Sequence, residues 1–152
     1  MQSIQNSEMD DIRYMREALK QARYAFEEDE VPVGAVIVCR NKIISRAYNQ
    51  TEKLKDATAH AEMLAITSAA NSLGTKYLSE CCIYVTLEPC SMCASALNWS
   101  QIGRIVFGAA DNKKGYSLIS DKLLHPKTIC EGGILREEAA ELLQSFFKKL
   151  RN

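Results

Sequence analysis

Two short runs, Thr58-Ala59-His60-Ala61-Glu62 and Glu88-Pro89-Cys90-Ser91-Met92-Cys93, bracket the segment 60–93 around which the rest of the chain arranges itself. His60, Cys90 and Cys93 are ligands of the kinds Zn²⁺ takes. Three protein ligands with an open fourth position mark a catalytic zinc, whereas a structural one is closed by four. A closed site here would have to recruit His125 or Cys39. Glu62, two residues from His60, can stand beside such a metal without filling its shell. Residues 81–87 read as a strand, with Ile83, Val85 and Leu87 alternating against Cys82, Tyr84 and Thr86, and Pro89 ends it before a short helix over 91–99. Thr58 or Asp56 is positioned to cap another helix, over about 59–72, with Ala61, Leu64, Ala65, Ser68 and Ala69 on its apolar face. His60 and Glu62 then occupy the first turn of one helix, and Cys90 and Cys93 flank the first turn of the next. Helix N-termini carry partial positive charge and lower a thiol's pKa.

Outward from this segment, strand and helix alternate. Met15, Leu19, Ala22 and Phe26 recur at helical spacing in 9–28, and Glu27-Glu28-Asp29-Glu30 reads as a solvated acidic turn closing that helix. Residues 31–40 are apolar on both faces, as a strand covered on both sides should be, and Asn41-Lys42 turns the chain into a return strand over 43–48. Gly34 is either a tolerated strand glycine or a point of close backbone approach. A strand over 102–108, a charged loop over 111–115, a weak short helix over 117–124 and a short strand over 127–131 follow. Gly132-Gly133 breaks the chain before a helix over 134–150 striped with Leu135, Ala139, Leu142, Leu143, Phe146, Phe147 and Leu150. The expected fold is α/β: one domain over 1–152, three layers (α/β/α), with a central mixed sheet of about five strands.

The sequence has no run near the ~20 apolar residues of a membrane span. Residues 1–10 are polar and acidic, unlike a signal peptide. Six cysteines would suggest disulfides in a small secreted chain. Here Cys39, Cys81, Cys82 and Cys130 sit in apolar segments and read as small buried hydrophobes, so reduced thiols and a cytoplasmic location are expected. Formal net charge is zero, which excludes a uniformly basic nucleic-acid binder. The charge is unevenly spread: the first thirty residues carry four more acidic than basic side chains, and the remainder the reverse.

The H-A-E run followed by P-C-x-x-C resembles the zinc cytidine/deoxycytidylate deaminase superfamily. Glu30-Val31-Pro32-Val33-Gly34-Ala35-Val36, Asn49, residues 58–62, 84–93 and 102–108, Ala110-Asp111 with Lys113 and Gly115, Gly133-Ile134-Leu135 and Phe146-Phe147-Lys148 extend the resemblance to the bacterial tRNA-specific adenosine deaminases. It implies a cytidine-deaminase-like fold and a homodimer with one Zn²⁺ per subunit. The implied reaction is hydrolytic deamination of adenosine to inosine at the wobble position of a tRNA anticodon. Zinc-bound hydroxide would attack C6, with Glu62 as proton shuttle. It further implies that Asn49, Val31 and Ala61 bind the flipped nucleoside, and that Asp111, Lys113, Phe146, Phe147 and Lys148 contact the anticodon RNA. For Phe146 and Phe147, packing in the core or a dimer is the alternative; for Lys148, a charged helix end; for Glu88, an anchor for the loop before Cys90 or a solvated acid. Gln101, Ser95, Trp99 and Tyr116 depart from the family pattern, the last in a loop bordering the nucleic-acid face. A free guanine or cytosine deaminase of the same fold, and a non-catalytic zinc and RNA-binding protein, are the competing readings.

Overall fold

Helix α1, Glu8–Glu27, starts where Ser7 accepts the Asp10 N–H on its side chain. Glu8, Asp10 and Asp11 in its first turn complement the helix dipole. The computed structural model describes residues 7–151, so most of the polar N-terminal segment read above lies outside the described residues. Strand β1 (Gly34–Cys39) is buried along its whole length and pairs with β2 (Lys42–Tyr48). Arg40 and Asn41, with φ of 52° and 64°, form the tight two-residue turn between them, matching the right-handed twist of the strands. Helix α2 (Ala61–Leu73) ends at Gly74 in the left-handed conformation. Strand β3 (Cys81–Leu87), helix α3 (Ser91–Trp99), strand β4 (Arg104–Ala109), strand β5 (Ile129–Gly132) and helix α4 (Arg136–Arg151) complete the fold.

The sheet order is β2-β1-β3-β4-β5. The β1 strand runs antiparallel to both its neighbours, and β3, β4 and β5 are parallel. The period of two along the strands sorts side chains into two layers. Ala35, Ile37, Ile83, Val85 and Ile105 face α2 and α3, meeting Ala61, Ala65, Ala69 and Leu97. Val36, Val38, Cys82, Tyr84 and Val106 face α1, meeting Tyr14, Met15 and Ala18. On that same side Ala139 of α4 packs with Leu19 and Ala109. The result is the expected α/β/α sandwich with five strands.

Several local expectations are revised. A Cβ on Gly34 would stand 2.1 Å from the Ala18 carbonyl oxygen, so this glycine is there because α1 crosses directly over β1. The acidic turn after α1 is not wholly solvated: Glu30 is buried, and its carboxylate accepts the backbone N–H groups of Glu52 and Lys53. Neither Thr58 nor Asp56 caps α2; Asp56 accepts from Thr58 in a local turn, and His60 holds the cap position. The helix expected over 117–124 is two separate 3-10 turns, Tyr116–Leu118 and Asp121–Leu123, because the Ser117 N–H is drawn to Glu88. Tyr116, a departure from the family pattern, is buried with its hydroxyl 3.3 Å from Cys130 Sγ.

One buried network went unread in the sequence. Arg104, buried at the start of β4, meets both carboxylate oxygens of Asp11 at 2.8 Å, while Tyr84 donates to the same carboxylate at 2.7 Å. Glu131 of β5 adds a contact at 3.3 Å, so the network ties α1, β3, β4 and β5 together. The bond from Asp11 holds the guanidinium charged, well above its ordinary range. The Arg104 Nε is left without a partner.

Candidate active site

Parallel strands β3 and β4 end on the same side of the sheet, and antiparallel β1 begins there. Helices α2 and α3 start at that edge, so two helix N-termini converge on it. His60 is the N-cap residue of α2 and Cys90 that of α3, each in extended backbone conformation and neither making a side-chain cap. Cys93 lies in the first turn of α3 and is fully buried.

The His60 Nδ1 atom is 3.7 Å from Cys90 Sγ and 3.6 Å from Cys93 Sγ. Two ligands bound tetrahedrally at ordinary zinc–sulfur and zinc–nitrogen lengths lie about 3.6 Å apart. One nitrogen and two sulfurs at these separations fit a zinc ion. Among the described residues, this is the one group of three or more such side chains whose ligand atoms all converge within 4.8 Å. Neither His125 nor Cys39 joins it: His125 Nδ1 accepts the Lys127 N–H in a surface loop, and Cys39 is buried at the far end of β1. The hydrogen bond from Cys93 pulls Cys90 down to about 4, and the same bond pushes Cys93 far above the thiol range. The Cys90 sulfur, as its hydrogen-bond partner, raises His60. Two sulfurs this close to one another and to His60 are suited to becoming a thiolate pair on a cation.

Glu62 is buried at the head of α2, and burial pushes its carboxyl up to about 7. A carboxyl poised near neutrality can both accept and deliver a proton. Beside it opens a cavity of about 790 Å³ that His60, Glu62 and Cys90 share with Val31, Asn49 and Ala61. That size suits a nucleoside-sized ligand.

The sequence-predicted residues separate here. Val31, Asn49, Ala61, Asp111, Lys113 and Phe147 line the cavity. Phe146 does not: it is 3% exposed, with its ring packed edge-on to Phe26 and to Phe147, so packing explains it. Lys148 is exposed and lies outside the cavity lining. Leu143, Leu150 and Arg151 line it from the same helix, and Lys114 from the loop before Gly115; none was singled out as a site residue. The helical spacing of Leu143, Phe147 and Leu150 was the available signal, because it places them on one face.

Two buried carboxylates frame the mouth. Glu30 holds the backbone of the 50–55 turn, next to Asn49 and Thr51. Glu88, the acid left unresolved between anchor and solvated side chain, is 5% exposed and holds the loop that carries Asp111 and Lys113.

Comparison with known proteins places this geometry. The family described as the zinc-binding region of cytidine and deoxycytidylate deaminases matches residues 8–109. The tRNA-specific adenosine deaminase of Aquifex aeolicus is 51% identical over an alignment of 144 residues that covers 91% of this chain and 95% of that protein. The enzyme of the same name from Rickettsia bellii is 47% identical over 145 residues, covering 91% of this chain and all of that one. A solved structure from a study of A-to-I editing by tRNA:A34 deaminases at the wobble position superposes with a TM-score of 0.80 at 40% identity, covering 86% of this chain and 99% of that chain.

Proposed function

The chain belongs to the cytidine and deoxycytidylate deaminase family, and from that membership we propose that it is a tRNA adenosine deaminase converting the wobble adenosine of an anticodon to inosine. The observation that carries the chemistry is the convergence of His60, Cys90 and Cys93 on one point, with the Glu62 carboxyl at the head of the same cavity. His60 Nδ1 and the two thiolates would hold one zinc ion per chain. Zinc supplies Lewis acidity that lets a water ionise near neutral pH. Glu62 takes the proton from the attacking water and passes it to a purine ring nitrogen. It later carries a proton to the departing amine. A C6–O bond forms, the C6–N bond breaks, and ammonia leaves. Asn49, Val31 and Ala61 line the cavity; Asn49 would hydrogen-bond the nucleoside, and Val31 and Ala61 would give the flat apolar walls a purine needs. Asp111, Lys113 and Phe147 stand on the rim, where nucleotides flanking a splayed base would lie.

Relatives named for tRNA support RNA as the partner over a free base. The working unit is a homodimer of single-domain chains, 1–152, in the cytoplasm. Support for the dimer comes from the outer faces of α2 and α3, where Leu73 and Trp99 are exposed and the one charged side chain, Glu62, is buried. No helix among the described residues is long and apolar enough to cross a membrane.

The test is to incubate zinc-loaded protein with an anticodon stem-loop bearing a wobble adenosine and, separately, with guanine, cytosine and adenosine. Inosine in the RNA alone is expected. Ammonia from guanine or cytosine with the RNA untouched would overturn the assignment, and no ammonia from any substrate would leave only a binding protein.

A further inference from the structure

Glu88 accepts three hydrogen bonds beside the candidate metal centre. Its Oε1 accepts the Asp111 N–H at 3.1 Å; its Oε2 accepts the Ser117 N–H at 3.1 Å and the Ser117 hydroxyl at 2.6 Å. Its own N–H donates to Ala109 at the end of β4. These bonds clamp both ends of the 111–117 loop onto one buried carboxylate. The clamp continues through the backbone: Tyr116 N–H donates to Pro89, and Cys90 pairs with Gly115 in an isolated bridge. Gly115 is required at that point, since a Cβ there would lie 2.5 Å from the Glu88 carboxylate. The loop so held puts Asp111, Lys113 and Lys114 on the cavity rim, while Cys90, two residues beyond Glu88, is a candidate zinc ligand.

We infer that Glu88 is a positioning residue: it fixes the substrate-facing loop 111–117 in register with the zinc-binding cysteines, so that RNA bound on the rim presents its base at the reaction centre. This rests on the deaminase reading for its consequence, but not for its mechanics. A charged acceptor serving two backbone N–H groups and a hydroxyl is not replaced by an amide, because one of the two oxygen positions then becomes a donor facing donors. A loop released at both ends must be ordered by the substrate at the moment of binding, which weakens binding more than chemistry.

The test is Glu88→Gln, read in two ways. Hydrogen exchange should accelerate at the Asp111 and Ser117 amides and stay unchanged at Glu52 and Lys53, whereas Glu30→Gln should do the reverse. Steady-state kinetics on the stem-loop should show KM raised roughly tenfold or more with kcat within about threefold and zinc content unchanged. Ser117→Ala, which deletes only the hydroxyl bond, should shift KM in the same direction by less, and it stands in if Glu88→Gln does not fold. Unchanged protection at Asp111 and Ser117 would overturn the clamp. Faster exchange with KM unmoved, or loss of zinc together with kcat, would overturn its positioning role. If the wild-type protein leaves the stem-loop untouched, the deaminase reading fails, and the exchange measurement still decides the clamp.

Discussion

The two helical layers that sandwich the sheet are built on opposite principles. Helices α1 and α4 carry sixteen charged side chains, nine and seven respectively. Helices α2 and α3 carry one, Glu62, and it is buried. Surface helices usually carry charge on their outer face, yet α2 and α3 are surface helices whose outer positions are filled by small neutral residues such as Thr67, Ser68 and Asn71. Their heads hold the convergent His60, Cys90 and Cys93 with Glu62 beside them, and their flanks expose Leu73 and Trp99. The α1–α4 layer is finished towards solvent, and its one buried charge cluster, Arg104 with Asp11, lies on the inner side against the sheet. The convergent His60, Cys90 and Cys93 and the buried Glu62 therefore sit at the heads of the sparsely charged layer, while the charged layer contributes the Arg104–Asp11 pair and, from α4, part of the cavity wall.

That division fails first at Glu62 if it fails at all. Glu62→Gln keeps volume and helix propensity and removes the titrating group. Turnover on the stem-loop should fall by about 10²–10⁴, the usual worth of a positioned acid–base group. Zinc content and melting temperature should stay at wild-type values. Retained turnover would mean the α2 head is not the proton carrier.

The matching experiment on the other layer is Asp11→Ala. It leaves the Arg104 guanidinium, whose side chain is only 2% exposed, without its two-point partner and with the half-exposed Glu131 at 3.3 Å as its remaining counter-charge. Breaking a buried pair from one side costs about 3–5 kcal/mol. Denaturant unfolding should show that loss, while the kcat of the folded fraction stays unchanged. Replacing both partners together, with Asp11→Leu and Arg104→Met, should recover most of it, since what hurts is the unpaired charge. A fall in kcat would show that the α1 side is wired to the reaction after all.

What could be read in advance follows the same line. Apolar runs, alternation and turn residues located the buried strands, because burial in a sheet restricts which residues can stand there, while the exposed β5 was legible only from its flanking breaks. The ligand spacing singled out His60, Cys90 and Cys93, which the fold brings together, because metal chemistry restricts residue types. Buried acids left no such trace. Glu30 and Glu88 read as solvated or ambiguous because their value lies in which backbone N–H groups elsewhere lack partners, a property of the assembled loops. Asp11 and Arg104 were hidden for the same reason, ninety-three positions apart. Phe146 and Phe147 are neighbours in sequence, but successive helical residues point about 100° apart, so one fills the core and the other the cavity wall.

Trp99 tests whether the α2–α3 layer also carries the proposed self-association. It is 82% exposed at the end of α3. Burying a large side chain between two copies is worth about 1.5–3 kcal/mol. Trp99→Glu should weaken self-association at least roughly tenfold in sedimentation velocity, with the monomer fold intact by circular dichroism. An unchanged association constant would move the interface away from α3.

The smallest effect is the most pointed for the charged layer. Lys149 reaches from α4 to Asp29 just beyond α1, at 3.1 Å, and lies over the Phe26 ring at 5.3 Å from its centre. On a diagram this looks like the tie that holds α4 in place. Physically it is a pair with side chains 53% and 76% exposed, in water that screens the attraction, and two mobile side chains must be ordered to form it. Its worth is about 0–1 kcal/mol, with a few tenths more from the ring contact. Phe146, edge-on to Phe26 and 3% exposed, is the real attachment, and truncating such a ring costs about 3–5 kcal/mol. Lys149→Ala should thus leave the unfolding free energy within about 1 kcal/mol of wild type and be insensitive to added salt, while Phe146→Ala should be severe. If the ranking came out reversed, the charges of the α1–α4 layer would be its fastening, and the contrast between the layers would lie in the kind of bond each uses to hold itself together.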